Sequence, residues 1–117
     1  MFRLGVFNVM AHNQDDHAKN FSFLMNELGE WKLSPAYDLT FSNGPGGEQS
    51  TMVLGEGRNI TVKHLSKLGE EAQLSKEFIE NVIEQTLSAL GKWQSLSKKY
   101  GVSDVNMQLI SKTISKF

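Results

Sequence analysis

The sequence has no cysteine. This excludes a disulfide framework, a thiol nucleophile and a cysteine-based zinc site, and it fits a reducing cytosol. Neither sign of charge dominates: 12 Lys and Arg stand against 13 Asp and Glu, a net charge of −1. Composition therefore gives no reason to expect a direct nucleic-acid interface, and there is no acidic tail to act as a disordered arm. No apolar run approaches the roughly 20 residues of a membrane span. The start, MFRLGVFNVMA, is apolar, but it carries Arg3 and Asn8 and runs straight into a polar cluster, unlike a secretion signal. The expected location is the cytoplasm, with no membrane contact. Two N-x-S/T matches, at Asn20 and Asn59, then read as chance.

A length of 117 residues with 39% apolar content is enough for one domain around one core. Phe2, Val6, Phe7, Val9 and Met10 give residues 2–12 a helical pattern, weakened by about 1 kcal/mol at Gly5. Residues 13–20, NQDDHAKN, are too polar for an interior helix. FSFLM and WKLS, separated by a turn at Asn26–Gly29, read as a β-hairpin with Trp31 in the core. Both prolines of the chain, Pro35 and Pro45, fall in a long loop over residues 35–50 that also holds Gly44, Gly46 and Gly47. Thr61 is expected to cap a helix ending at Gly69, and Ser75 to cap a long helix. The stripe of that long helix runs from Phe78 through Trp93 and Leu96 to Tyr100, where Gly101 stops it. Ser103 or Asp104 opens a last helix. The fold class is mainly α: a helical body carrying a small hairpin and a polar loop near its start.

The polar loop is the candidate for chemistry. Phosphoryl transfer requires an acid to orient or deprotonate the attacking hydroxyl, and an amide oxygen and a second carboxylate to hold magnesium against the phosphates. Protein kinases place the acid and the amide as Asp and Asn with four residues between, followed by a later Asp. Asp15 and Asn20 have that spacing, and Asp38 follows in SPAYDL. If Met25 pairs with Trp31, the same register sets Ala36 opposite Asn20 and Asp38 beside Ala18, about 4.8 Å away. The hairpin would then return Asp38 to Asn20. His17 serves either as a loop brace or as a donor to the transferred phosphate. Lys19 is either a phosphate contact or a solvated side chain, and Asp16 is a cap, a turn residue or a supporting acid. His12 and His64 read as helix-surface residues, and Tyr37 as packing beneath Asp38.

The run NQDDHAKNFSFL followed by WKLSPAYDL resembles the C-terminal kinase region of the HipA family, closely over residues 2–40 and more loosely over the helical remainder. That family comprises bacterial serine/threonine kinases that act as the toxin of toxin–antitoxin pairs. The resemblance implies a kinase-like helical lobe in which the hairpin carries the metal-binding segment. It makes Asp15 the catalytic acid and Asn20 and Asp38 the Mg2+ ligands, with His17 and Lys19 on matching loop positions. It also implies ATP as phosphate donor, a helix-turn-helix antitoxin as partner with DNA reached through it, and a protein substrate such as an aminoacyl-tRNA synthetase.

The family's N-terminal lobe, with its Gly-rich nucleotide loop and lysine, has no counterpart among these residues. The glycine clusters at 44–47 and 55–57 follow the motifs instead of preceding them, and by resemblance they belong to a variable loop. The chain is therefore expected to be one part of a larger kinase, inactive or very slow alone. Phe2, Phe7 and the hairpin face should be bared where the lobe, a partner or a second copy would cover them. Two other readings stay open: a non-catalytic helical remnant or partner-binding module, and a small-molecule kinase with a similar loop, against which PAYDL speaks.

Overall fold

A computed structural model describes residues 1–117. Five helices and one hairpin follow in the order α1 (Phe2–Met10), β1 (Phe23–Met25), β2 (Trp31–Leu33), α2 (Val62–Glu71), α3 (Lys76–Leu90), α4 (Trp93–Lys99) and α5 (Asp104–Ile114). None of the helices is long and apolar enough to cross a membrane.

The core forms where α1 and α2 both pack on α3. Val6, Val9 and Met10 from α1 meet Leu65 from α2 and Ile79, Val82 and Ile83 from α3, with Val53 closing the cluster from a loop. Phe2 packs half-buried against this cluster, next to Phe78. Gly69 lies within α2 and does not end it. A Cβ there would sit 2.6 Å from Ile79 Cγ1, so the missing side chain is what lets α2 approach α3. The helix ends instead at Glu71, and just beyond it the left-handed φ of 57° at Gln73 lets Leu74 N–H reach Gly69 O at 3.0 Å.

The expected caps form. Ser75 Oγ accepts from Phe78 N–H at 3.2 Å, and Ser103 Oγ from Asn106 N–H at 3.4 Å. Thr61 N–H donates to His64 Nδ1 at 3.1 Å, so His64 helps to cap α2 and is not merely a surface residue. The long stripe from Phe78 to Tyr100 is broken at Gly91–Lys92. There the chain turns, and Trp93 Nε1 donates to Met107 O at 3.1 Å, which seats α4 on α5. Leu87 and Leu96, on either side of that turn, are exposed, as is Phe78 in the first turn of α3, although periodicity alone put all three in the core.

The hairpin has the expected register, Phe23 with Leu33 and Met25 with Trp31. Asn26 builds its turn: the side-chain Oδ1 accepts from Leu28 N–H and Glu30 N–H, each at 2.9 Å. The hairpin does not enter the core. Trp31 is 66% exposed, because a two-stranded ribbon projecting from the body has no helix behind it, and Phe23, Leu24 and Met25 are exposed as well. Of the three surfaces expected to be bare, the hairpin is bare, while Phe2 and Phe7 are half-buried.

Replacing Leu65, which is fully buried, with Ala should cost about 2–5 kcal/mol. Trp31→Ala should stay within about 0.5 kcal/mol, as at other surface positions. Urea unfolding of the two variants measures both.

Candidate active site

The site begins at the C-terminus of α1. Asn13 N–H bonds back to Asn8 O at 2.8 Å and His12 N–H to Val9 O at 3.3 Å, a closure that forces His12 to φ 57°. Glycine is the usual residue in such a position. His12 holds it with its ring against Phe41 and with Nε2 2.9 Å from Asn43 Oδ1. His12 is thus a loop brace, not a helix-surface residue. The turn directs residues 13–16 across the body, and three of those four side chains are buried: Asn13, Gln14 and Asp16.

Buried polar groups need partners, and these come from residues 42–51. Asn13 pairs with Ser42 in a parallel bridge, and Gln14 N–H donates to Ser42 O at 3.0 Å. Gln49 Nε2 donates to Asn13 O at 2.7 Å, and Ser50 N–H to Gln14 O at 3.0 Å. Asp16 Oδ1 accepts from Thr51 N–H at 2.9 Å, and Thr51 Oγ1 donates to Asp16 O at 2.6 Å. Asp16 therefore fastens two segments together. Gly44 N–H donates to Gln14 Oε1 at 3.1 Å, and a Cβ on Gly44 would lie 2.2 Å from Glu48 O and 2.8 Å from Gln14 O. The first glycine of the GPGG cluster is thus a packing requirement of the polar loop.

Asp15 points the other way and is exposed, with Oδ1 3.6 Å from His17 Nε2. Asn20 lies in a short 3-10 turn over Ala18–Asn20, and its Nδ2 donates to Asp15 O at 2.7 Å. This commits the amide nitrogen and leaves Oδ1 without a protein partner. Lys19 is exposed and makes no ion pair, while its carbonyl accepts from Tyr37 O–H at 2.9 Å. His17 Nδ1 is buried without a partner.

Asp38 returns by a path the β-register did not foresee. The ladder ends with Ser34 N–H donating to Ser22 O at 2.8 Å, because residues 18–20 turn in a 3-10 bend and leave the strand direction. Tyr37 closes the gap. Its hydroxyl lies 2.7 Å from Ser22 Oγ and reaches Lys19 O, so it ties the hairpin exit to the loop and does not simply pack under Asp38. Asp38 has φ 53°, a left-handed conformation of order 1–3 kcal/mol in cost for a non-glycine residue. Its backbone O accepts from Asn13 Nδ2 at 3.5 Å. Its carboxylate is exposed and accepts no hydrogen bond from the protein.

Asn20 Oδ1 and the Asp38 carboxylate are therefore hard oxygen donors with no competing protein partner, a donor set that suits magnesium. No three His, Cys, Asp or Glu side chains converge to hold a metal. A cleft of about 520 Å3 is lined by His12, Gln14, Gln49, Arg58, Ile60 and Phe117 among others, and by none of Asp15, His17, Lys19, Asn20 or Asp38. Asp15, Lys19 and Asp38 are exposed, and His17 and Asn20 are half-buried. Residue patterns missed Asn8, Ser42, Gln49 and Thr51, the partners of the loop. Asn8, which is buried, was the one visible signal, a lone amide in an apolar helical stripe.

Fold and site together define a helical domain whose first helix feeds a clamped acidic loop and an outlying hairpin. The chain belongs to the HipA-like C-terminal domain family, whose profile matches residues 1–93. Most of α4 and all of α5 lie beyond that match. Among curated proteins it is similar to one of Sinorhizobium fredii (strain NBRC 101917 / NGR234) named "Putative kinase Y4mE", 26% identical over 96 residues. The alignment covers 74% of this chain and 23% of that protein, so the chain spans about a quarter of its length. No solved structure matches.

The two adjacent acids should respond oppositely to neutralisation. Asp16→Asn removes a buried charge-assisted acceptor and should lower stability by about 1.5–3 kcal/mol, whereas Asp15→Asn should change it by less than about 0.5 kcal/mol. Parallel urea titrations distinguish them.

Proposed function

We propose that this chain is the catalytic segment of an ATP-dependent serine/threonine protein kinase of HipA type. Membership of the HipA-like C-terminal domain family and similarity to a protein named as a kinase support a kinase-like role. The observation that carries the finer reading is the bonding of the loop. Asn20 Nδ2 is tied to the Asp15 carbonyl and the Asp38 carbonyl to Asn13, while Asn20 Oδ1 and the Asp38 carboxylate accept from no protein donor and the Asp15 carboxylate meets only His17 Nε2, at 3.6 Å.

In this reading Asp15 orients the substrate hydroxyl and accepts its proton as the hydroxyl oxygen attacks the γ-phosphorus of ATP. The bond from that phosphorus to the β,γ-bridging oxygen breaks and ADP leaves with the electron pair. Asn20 and Asp38 would hold Mg2+, which when bound neutralises charge on the phosphate oxygens. His17, next to Asp15, keeps the carboxylate facing the reacting hydroxyl. Lys19, free of any ion pair, offers a positive charge to the transferred phosphate. ATP itself is gripped by a separate lobe, and the exposed hairpin with Leu24, Met25 and Trp31 is a surface for that lobe or for another partner. The partner set we propose also includes a helix-turn-helix antitoxin, with DNA reached through it, and a protein substrate of the aminoacyl-tRNA synthetase class.

That same bare hairpin favours one second reading, a non-catalytic module that binds a partner through it. The two readings separate in an assay of Mg2+-dependent phosphate transfer from radiolabelled ATP, with the chain supplied with an ATP-gripping lobe. The catalytic reading expects activity that falls about 100- to 10,000-fold in Asp15→Asn and is absent from the chain alone. Equal activity in wild type and Asp15→Asn refutes it.

A further inference from the structure

Ser42 makes hydrogen bonds to four consecutive residues of the acidic loop. Its N–H donates to His12 O at 3.0 Å, and its carbonyl accepts from Gln14 N–H at 3.0 Å. Its hydroxyl donates to Asn13 Oδ1 at 3.0 Å and accepts from Asp15 N–H at 3.4 Å. A serine hydroxyl carries one proton. Because that proton goes to Asn13, the oxygen lone pairs are left for Asp15.

The Asn13 amide has a single satisfactory orientation as a result. Its Oδ1 must face the Ser42 hydroxyl, and its Nδ2 then faces two oxygens, Asn8 Oδ1 at 3.1 Å and Asp38 O at 3.5 Å. An unbroken path of hydrogen bonds therefore runs from Asp15 N–H through the Ser42 hydroxyl and the Asn13 amide to the Asp38 backbone. On the far side of Asp15 the path continues from its carbonyl to Asn20 Nδ2.

We propose that Ser42 is a positioning residue: its hydroxyl sets the spacing of Asp15 and Asn20 from Asp38 by fixing the Asn13 amide between them. This rests on the reading of those three residues as the reacting surface. Ser42 touches no substrate or ion in this account. Removing the hydroxyl leaves both backbone hydrogen bonds, so the parallel bridge and the core survive. The Asn13 amide loses the donor that orients it, and Asp38, held in a strained left-handed conformation, loses its restraint.

The test uses the 117-residue chain, Mn2+ alone as the paramagnetic probe, and amide NMR as the readout. In the wild type, Mn2+ should selectively broaden the Asn20 and Asp38 amides. In Ser42→Ala the same broadening should require about 10-fold more Mn2+, the lower end of what loss of an outer hydrogen bond costs a metal site, while the melting curve stays close to wild type. Ser42→Thr, which keeps the hydroxyl, should restore the wild-type titration.

A Ser42→Ala chain that titrates like wild type, with Asn20 and Asp38 still responding, overturns the positioning role and leaves the site reading intact. A wild-type chain in which neither residue responds overturns the site reading and the inference with it. Should Ser42→Ala fail to fold, hydrogen exchange in the wild type decides. The Asp15 amide should be protected although its side chain is exposed, and free exchange there contradicts the proposal.

Discussion

The structure depends on a contact between two loops more than on any pair of helices. Residues 13–16 leave α1 carrying buried amides and a buried carboxylate, groups that would cost several kcal/mol if left unpaired. Residues 42–51 supply their partners, with Thr51 on Asp16, Gln49 on the Asn13 carbonyl and Gly44 against Gln14. Because Asn13, Gln14 and Asp16 on one side and Gly44 and Gln49 on the other are buried, the clamp holds the loop in place. Asp15, which faces away from it, is held out into solvent. The apolar core of α1, α2 and α3 anchors one end of the arrangement, since the helix that delivers the loop is the helix that packs on α3.

Much of this could be read in the sequence, for definable reasons. Local rules located α1, the caps at Thr61, Ser75 and Ser103, and the hairpin register, because each is set by residues only a few positions apart. The Asp–Asn spacing and the later PAYDL segment located the candidate residues. The failures arose where tertiary contact overrides local pattern. Gly69 looked like a helix stop, but it is a close-approach point against Ile79. The stripe through Tyr100 looked like one helix, but Trp93 turns α4 onto α5. Trp31 looked like core by its size and apolarity, but nothing covers the ribbon that carries it. The clamp partners were invisible because Ser, Gln and Thr in a glycine-rich loop carry no periodicity, and their meaning comes only from the residues about thirty positions earlier that they meet.

Adjacent residues in the motif have divided roles. Asp15 and Asp16 are chemically identical in sequence. Asp15 is exposed, whereas Asp16 is buried and structural, held by Thr51. Asn20 shows the same economy within one side chain: its nitrogen holds the loop and its oxygen stays available. Asp15, Lys19 and Asp38 are exposed, and a bare apolar hairpin follows the loop.

The account's central claim is that the clamp holds Asn20 and Asp38 at one point beside Asp15. A crystal of the chain soaked in Mn2+ and measured at the manganese absorption edge tests it most directly. The account predicts one anomalous peak bonded to both Asn20 Oδ1 and an Asp38 carboxylate oxygen, at distances near the roughly 2.0–2.1 Å of a magnesium site. A peak elsewhere, or clear density for the two side chains diverging into solvent with no ion between them, would contradict it.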